Sequence, residues 1–298
     1  MKEEEIRKVY FDSSDISPDG TPMVQGGDTI IAGEDDRKDP HDLGNSDEEK
    51  LQAELVHATV ILTDKSRLTE NGDGTWTLDV EPFQQGGLPP CSGEKFANQN
   101  TGGWCSGFLV GSDVIATAGH CGRDEDAVKN TAYVFGFRAS SDTDPGRTVF
   151  NENEVYFGSE LLAFDLSSTG DFAIVRVNKT VTAPDAKPLK VRSSGSPSIG
   201  SNLGVIGHPS GLPVKIAFGI NTVLMRDDDP WLIANLDTYG GNSGSAVFNN
   251  KGEVEGILVR GAQDYEFEVS CFRSNVIENS EGSEAVTKAS AFVDKIPS

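Results

Sequence analysis

Ser243 lies in the stretch DTYGGNSGSAVF, residues 237–248, where glycines at 240, 241 and 244 leave the backbone around one hydroxyl almost bare. A serine is a poor nucleophile at neutral pH unless a base stands within hydrogen-bond reach and a third group orients that base. Four histidines offer themselves, His41, His57, His120 and His208, and all precede Ser243. His120 closes the run SGFLVGSDVIATAGH, beside Cys121, whereas His57 sits in a strand-like run, His41 in a polar segment and His208 before a proline. We expect His120 to be the base and the other three to be structural or solvated. For the orienting carboxylate, Asp171 follows Gly170 and leads into the apolar FAIVRV, at the mouth of a buried strand. There it could take an imidazole N–H and stabilise the imidazolium formed during attack.

The chain order argues against other serine arrangements. No histidine follows Ser243, and Ser245 stands where a G-x-S-x-G elbow needs glycine, which removes the α/β-hydrolase order. A subtilisin-like order needs strands alternating with helices. From about residue 52 the chain instead offers short runs rich in Val, Ile, Phe and Thr, among them ELVHATVILT, TAYVFGF, DFAIVRV, WLIANL and EVEGILV. They are separated by turn formers, as in NGDGTW, DPGR and NNKGE. The class is all-β. Helical spacing is confined to the tail GSEAVTKASAFVDKI, residues 282–296, with Val286, Ala289, Phe292, Val293 and Ile296 on one stripe.

Composition narrows the function classes. The 298 residues carry 47 Asp and Glu against 25 Lys and Arg, a formal charge of -22 that repels phosphate backbones and anionic lipid. Neither nucleic acid nor a membrane is an expected partner, and no run of about 18 apolar residues is present. The acidic loops RDDDP and SDTDPG do not complete a calcium-loop spacing. Without a C-x-x-C pair, and with scattered histidines, no metal or organic cofactor is expected. The four cysteines allow three pairings. Cys105 and Cys121 bracket a short strand-like segment, and a bridge there would close a loop worth roughly 3 kcal/mol. Cys91 and Cys271 would then pair by default.

Three ordered segments, CSGFLVGSDVIATAGHC, GDFAIVRV and GGNSGSAVF, resemble the His, Asp and Ser segments of the trypsin/chymotrypsin superfamily of serine endopeptidases. GEDDRKDPHDL, GHPSGLPV and the Asn before the serine are most similar to its bacterial glutamyl endopeptidase branch. The resemblance covers about residues 30–280. It implies a fold of two antiparallel six-stranded Greek-key barrels, to which the tail would add a C-terminal helix. Residues 30–182 would form the first barrel with His120 and Asp171, and residues 183–298 the second with Ser243 and the specificity pocket. The polar residues 1–29 would be an extension, read as a zymogen's pro-segment removed near DTIIAGEDDR. No secretory signal is visible, so a secreted or periplasmic protein would have lost it already.

What the resemblance implies for the site can be stated residue by residue. The N–H groups of Gly241 and Ser243 would form the oxyanion hole, each donor contributing about 3 kcal/mol to the transition state. Gly240 would let substrate backbone approach. Asp237, six residues before the nucleophile, would lie at the base of the primary pocket, with Thr238 beside it. Leu258 stands where the glutamyl branch has a histidine that reads a Glu side chain, Val259 and Gly261 would pair with substrate backbone, and Arg260 could reach in and neutralise Asp237. The expected activity is cleavage of protein or peptide substrates after Arg or Lys by a monomer. The alternatives are cleavage after Glu, or a non-catalytic binding protein on the same scaffold. Asn242, being uncharged, cannot pair with a new N-terminal ammonium, so any activation switch must differ from the trypsin type.

Overall fold

The computed structural model describes residues 31–219, 222–261 and 264–297, so the extension expected at 1–29 lies outside the described residues. Six strands form a closed antiparallel barrel: β1 (Thr59–Asp64), β2 (Cys105–Leu109), β3 (Val114–Thr117), β4 (Thr131–Phe135), β5 (Val155–Ser167) and β6 (Gly170–Val177), in the order β5-β6-β3-β2-β1-β4. A second antiparallel sheet contains β7 (Leu203–Gly207), β8 (Lys215–Ala217), β9 (Leu224–Asp228), β10 (Trp231–Ala234), β11 (Ala246–Asn249), β12 (Val254–Arg260) and β13 (Glu284–Lys288). Its order is β8-β7-β11-β12-β13-β10-β9. The two ends of this sheet meet where Asn202 pairs with Val223, Leu203 N–H donating to Thr222 O at 3.0 Å and Leu224 N–H to Ser201 O at 2.9 Å. Six strands thus roll into the second barrel, and β8 pairs antiparallel with the later part of β7, Val205–Gly207.

Burial explains why these runs read as continuous apolar stretches. Strands β2, β3, β4, β7 and β13 are buried at every position, because the far side of each barrel wall is covered as well as its interior. The second barrel encloses Leu203, Val205, Leu224, Leu232, Val247, Leu258 and Val286. A larger cluster runs from Val60, Phe108 and Ile174 of the first barrel to Ile206, Phe248 and Ile257 of the second, so one apolar seam joins the two.

Two helices escape the sequence pattern. Helix α1 spans Asp47–Val56, and its signal was a capping box, Ser46 accepting from the N–H of Glu49 while the Glu49 side chain returns to the Ser46 N–H. His57 therefore caps this helix and does not lie in a strand; β1 begins only at Thr59. Helix α2, Glu125–Asn130, starts from the Asp124 side chain. The expected C-terminal helix is corrected: residues 284–288 form β13, followed by 3-10 turns at Ala289–Ala291 and Val293–Lys295. A strand buried on both faces loses its alternation, and the apolar residues that remain then mimic a helical stripe.

Both disulfides have the expected partners, Cys105–Cys121 and Cys91–Cys271. The first staples β2 to the turn that carries His120. The second ties two loops 180 residues apart, next to the pairing of Pro90 with Phe272.

Candidate active site

His120 follows the end of β3, and Asp171 is the second residue of β6, which pairs with β3. That pairing alone sets the imidazole beside the carboxylate. Asp171 Oδ2 lies 2.8 Å from His120 Nδ1, and its Oδ1 accepts the backbone N–H of His120 at 3.1 Å. Asp171 is 7 % exposed. Its own backbone is fixed from the second barrel, where Thr287 accepts the Asp171 N–H at 3.2 Å and donates to the Asp171 carbonyl at 2.9 Å. Thr287 was not anticipated, because its segment was taken as helix.

Ser243 comes from the second barrel and is held against the first. Its carbonyl accepts the N–H of Ser106 on β2 at 2.8 Å. Gly244 has φ +88°, and a Cβ there would collide with the Ser106 carbonyl and the Thr117 hydroxyl. Only glycine allows this approach, and it brings Ser243 to the ends of the two strands that deliver His120. Among the described residues no hydrogen bond joins the Ser243 hydroxyl to the imidazole. Such catalytic contacts are commonly long in a free site and tighten on binding.

The loop before Ser243 is held in a fixed shape. Gly241 has φ +91°, and a Cβ there would stand 2.7 Å from the His208 carbonyl. The Ser106 hydroxyl donates to the Gly241 carbonyl at 2.8 Å and accepts the His208 N–H at 2.9 Å, fixing the peptide plane. Among the described residues nothing accepts from the N–H of Gly241 or of Ser243. Asn242 is buried and takes the Ser245 hydroxyl on its amide oxygen at 3.3 Å.

The other histidines are structural. His208 is fully buried, stacks on Phe137 at 6.0 Å and contacts the Leu212 carbonyl through Nδ1; burial pushes its pKa down to about 3, so it stays neutral. His41 binds Asp142, and His57 ends α1.

Asp237 is tied to the N-terminal segment. It is 2 % exposed, and both of its carboxylate oxygens accept backbone N–H groups of the N-terminal segment, Ala32 at 2.9 Å and Asp36 at 2.8 Å. The segment GEDDRKDPHDL, residues 33–43, thus braces the loop from behind. Arg37 pairs with Asp35 at 2.7 Å and lies 4.0 Å over the Tyr239 ring, while Lys215 holds Asp39 and Gln99, each at 2.7 Å. Arg260 does not reach Asp237 either, since its guanidinium stacks on Trp231 at 4.3 Å. Leu258 packs in the interior of the second barrel, and a register shift between Leu258 and Arg260 sets a bulge at Val259. Thr238, fully buried, points its hydroxyl at Glu284. The rim at Gly240 is held by Asp264, which accepts its N–H at 2.8 Å.

Among the described residues three side-chain groupings have a metal-like composition, but Cys105 with Cys121 and Cys91 with Cys271 are oxidised disulfides. In the third, Asp39 is already committed to Lys215 and Gln99.

The Trypsin-like peptidase domain family matches residues 105–257, just over half of the 298 residues. Over 179 residues the chain is 27% identical to a glutamyl endopeptidase of Staphylococcus aureus (strain MW2), which covers 58% of this chain and 51% of that protein. With the glutamyl endopeptidase of strain MRSA252 the identity is 27% over 157 residues, 51% of this chain and 41% of that protein. The chain thus spans about half the length of the curated relatives it matches, or less. Among solved structures, a Glu endopeptidase in complex with MPD aligns with a TM-score of 0.50 at 16% identity, covering 89% of this chain and 97% of that one. At that identity the likeness concerns the fold.

Proposed function

The chain belongs to the trypsin-like peptidase family, and from that membership we propose that it is a serine endopeptidase whose catalytic residues are Ser243, His120 and Asp171. The observation that carries this reading is the double contact of Asp171 with His120, beside a nucleophile loop pinned to the same barrel wall. Asp171 accepts the Nδ1 proton and so leaves Nε2 as the basic nitrogen facing the cleft. As the Ser243 hydroxyl attacks a peptide carbonyl, Nε2 takes its proton, a general-base contribution of roughly 10² to 10⁴ in rate. The developing oxyanion receives the Gly241 and Ser243 N–H groups. Nε2 then gives the proton to the leaving amine, and water hydrolyses the acyl-enzyme by the same steps in reverse.

Two residue preferences have support. Cleavage after Arg or Lys suits a pocket without a histidine at position 258 and a chain of net charge -22, which concentrates cationic substrates near its surface. Cleavage after Glu is the second reading, favoured by the names of the Staphylococcus aureus relatives. Profiling with a peptide library separates them. The two disulfides suit an oxidising compartment, which supports an extracytoplasmic location. With Asn242 held by Ser245, an activation step would not form the ion pair of trypsin-like zymogens.

A fluorophosphonate probe tests the core of the reading. Covalent labelling at Ser243, lost in His120→Ala, is the expected result. A folded protein that neither labels nor hydrolyses peptides would instead be a binding protein on this scaffold.

A further inference from the structure

We propose that Glu284, and not Asp237, is the carboxylate that selects the substrate side chain, and that it selects a cation. This rests on the reading of Ser243 as the nucleophile. The acyl pocket of such a serine is bounded by the segment leading to it, 237–241, and by the end of β12, residues 258–261. Two hydrogen bonds lock these walls together beside the nucleophile, Gly244 N–H to Leu258 O at 2.8 Å and Leu258 N–H to Ser245 O at 3.0 Å. Glu284, the first residue of β13, extends between them. Its Oε2 accepts the Thr238 hydroxyl at 2.7 Å on one wall. On the other wall, any Cβ at Gly261 would overlap both of its carboxylate oxygens. Glu284 is fully buried in the free protein, and a substrate side chain parting the walls between Thr238 and Gly261 would meet its carboxylate.

Asp237 is engaged from another side: each of its oxygens accepts one backbone N–H of the N-terminal segment, from Ala32 and Asp36. Asp264, bound to the Gly240 N–H, adds a second acid at the pocket rim. A lysine or arginine side chain would find an opposite charge in a water-poor site, where pairing is strong. A substrate glutamate would place like charges together at a cost of several kcal/mol. The arrangement also assigns a purpose to Gly261, since any larger residue would displace the carboxylate.

The test compares parent protein with Glu284→Gln, which keeps an acceptor for Thr238, using active sites titrated by fluorophosphonate. The readout is the ratio of kcat/KM for peptides with Arg or Lys against Gln at the cleavage position. The parent should favour Arg and Lys, and in Glu284→Gln that ratio should fall by about 30-fold or more, the loss expected on removing one partner of a buried charge pair. Unchanged preference in Glu284→Gln, or a labelled parent that cleaves after Glu, overturns the proposal and leaves the serine-peptidase reading intact. A parent that does not label overturns both. If Glu284→Gln fails to fold, p-aminobenzamidine decides on the parent: protection of Ser243 from labelling supports a cation pocket, and labelling undiminished at millimolar p-aminobenzamidine refutes it.

Discussion

Asp171 holds His120 at two points, the ring through Nδ1 at 2.8 Å and the backbone N–H at 3.1 Å. A carboxylate that fixes both ring and main chain determines the tautomer as well as the position of the base. Asp171→Asn keeps the size of the side chain but can present an amide N–H to Nδ1, favouring the wrong tautomer. We expect kcat for peptide hydrolysis to fall about 10⁴-fold with little change in KM. Steady-state kinetics against the parent measures this, and a loss under tenfold would remove Asp171 from the mechanism.

Ser106 connects the first barrel to the loop before Ser243. Replacing it with alanine removes the donor to the Gly241 carbonyl and leaves the buried N–H of His208 without its acceptor. The expected outcome is a stability loss of about 1–3 kcal/mol, seen in the urea midpoint. It should be accompanied by a lower kcat at nearly constant KM, because the Gly241 peptide would be free to rotate. Full activity in Ser106→Ala would show that the loop holds its shape unaided.

The buried Lys215 should be costly to remove alone. Its ammonium holds Asp39, Gln99 and the Pro213 carbonyl, and burial lowers its pKa to about 8. Lys215→Met leaves the Asp39 carboxylate buried and uncompensated, for an expected loss of about 3–5 kcal/mol. The triple variant Asp39→Leu, Gln99→Leu, Lys215→Met removes the whole polar group and should recover most of that loss. Chemical denaturation of both variants tests the claim, and equal instability would mean that the lysine serves chiefly through packing.

The Asp237 contact with the N-terminal segment should respond to pH. Burial, opposed by the two N–H donors, raises its pKa from 3.8 to about 6. The folded state therefore holds its proton more tightly than the unfolded chain does. The contribution of this group to stability is complete below about pH 4 and is lost as pH rises through about 6. Compared with Asp237→Asn, the parent should lose relative stability between those values, as followed by urea midpoints across the range. A constant difference between the two proteins would mean that Asp237 does not titrate there.

Much of the site was legible because its chemistry sits in short contiguous runs. TAGHC, GDFAIV and GGNSGS each carry one residue of the proposed triad beside the strand or glycines that hold it, so local sequence suffices to single them out. Helix α1 could have been found in the same way, from Ser46 and Glu49 as a capping box. The tail could not. Strand β13 lies between β10 and β12 with every residue buried, so no alternation marks it, and Glu284 passed for one residue of a helical turn.

The sequence by itself carried the all-β character and pointed to the proposed trio of Ser243, His120 and Asp171, because each depends on residue type and near neighbours, while the cysteine pairings needed the fold to choose among three. Only the tertiary structure decided what each buried acid holds. Asp237 lies six residues before Ser243 in the chain, yet its carboxylate accepts N–H groups of Ala32 and Asp36 from the far N-terminal segment. Glu284, 41 residues beyond Ser243, is brought to Thr238 by the ladder between β12 and β13. The direction of a carboxylate is set by the donors that folding brings to it, and donors from distant segments leave no mark on the local sequence.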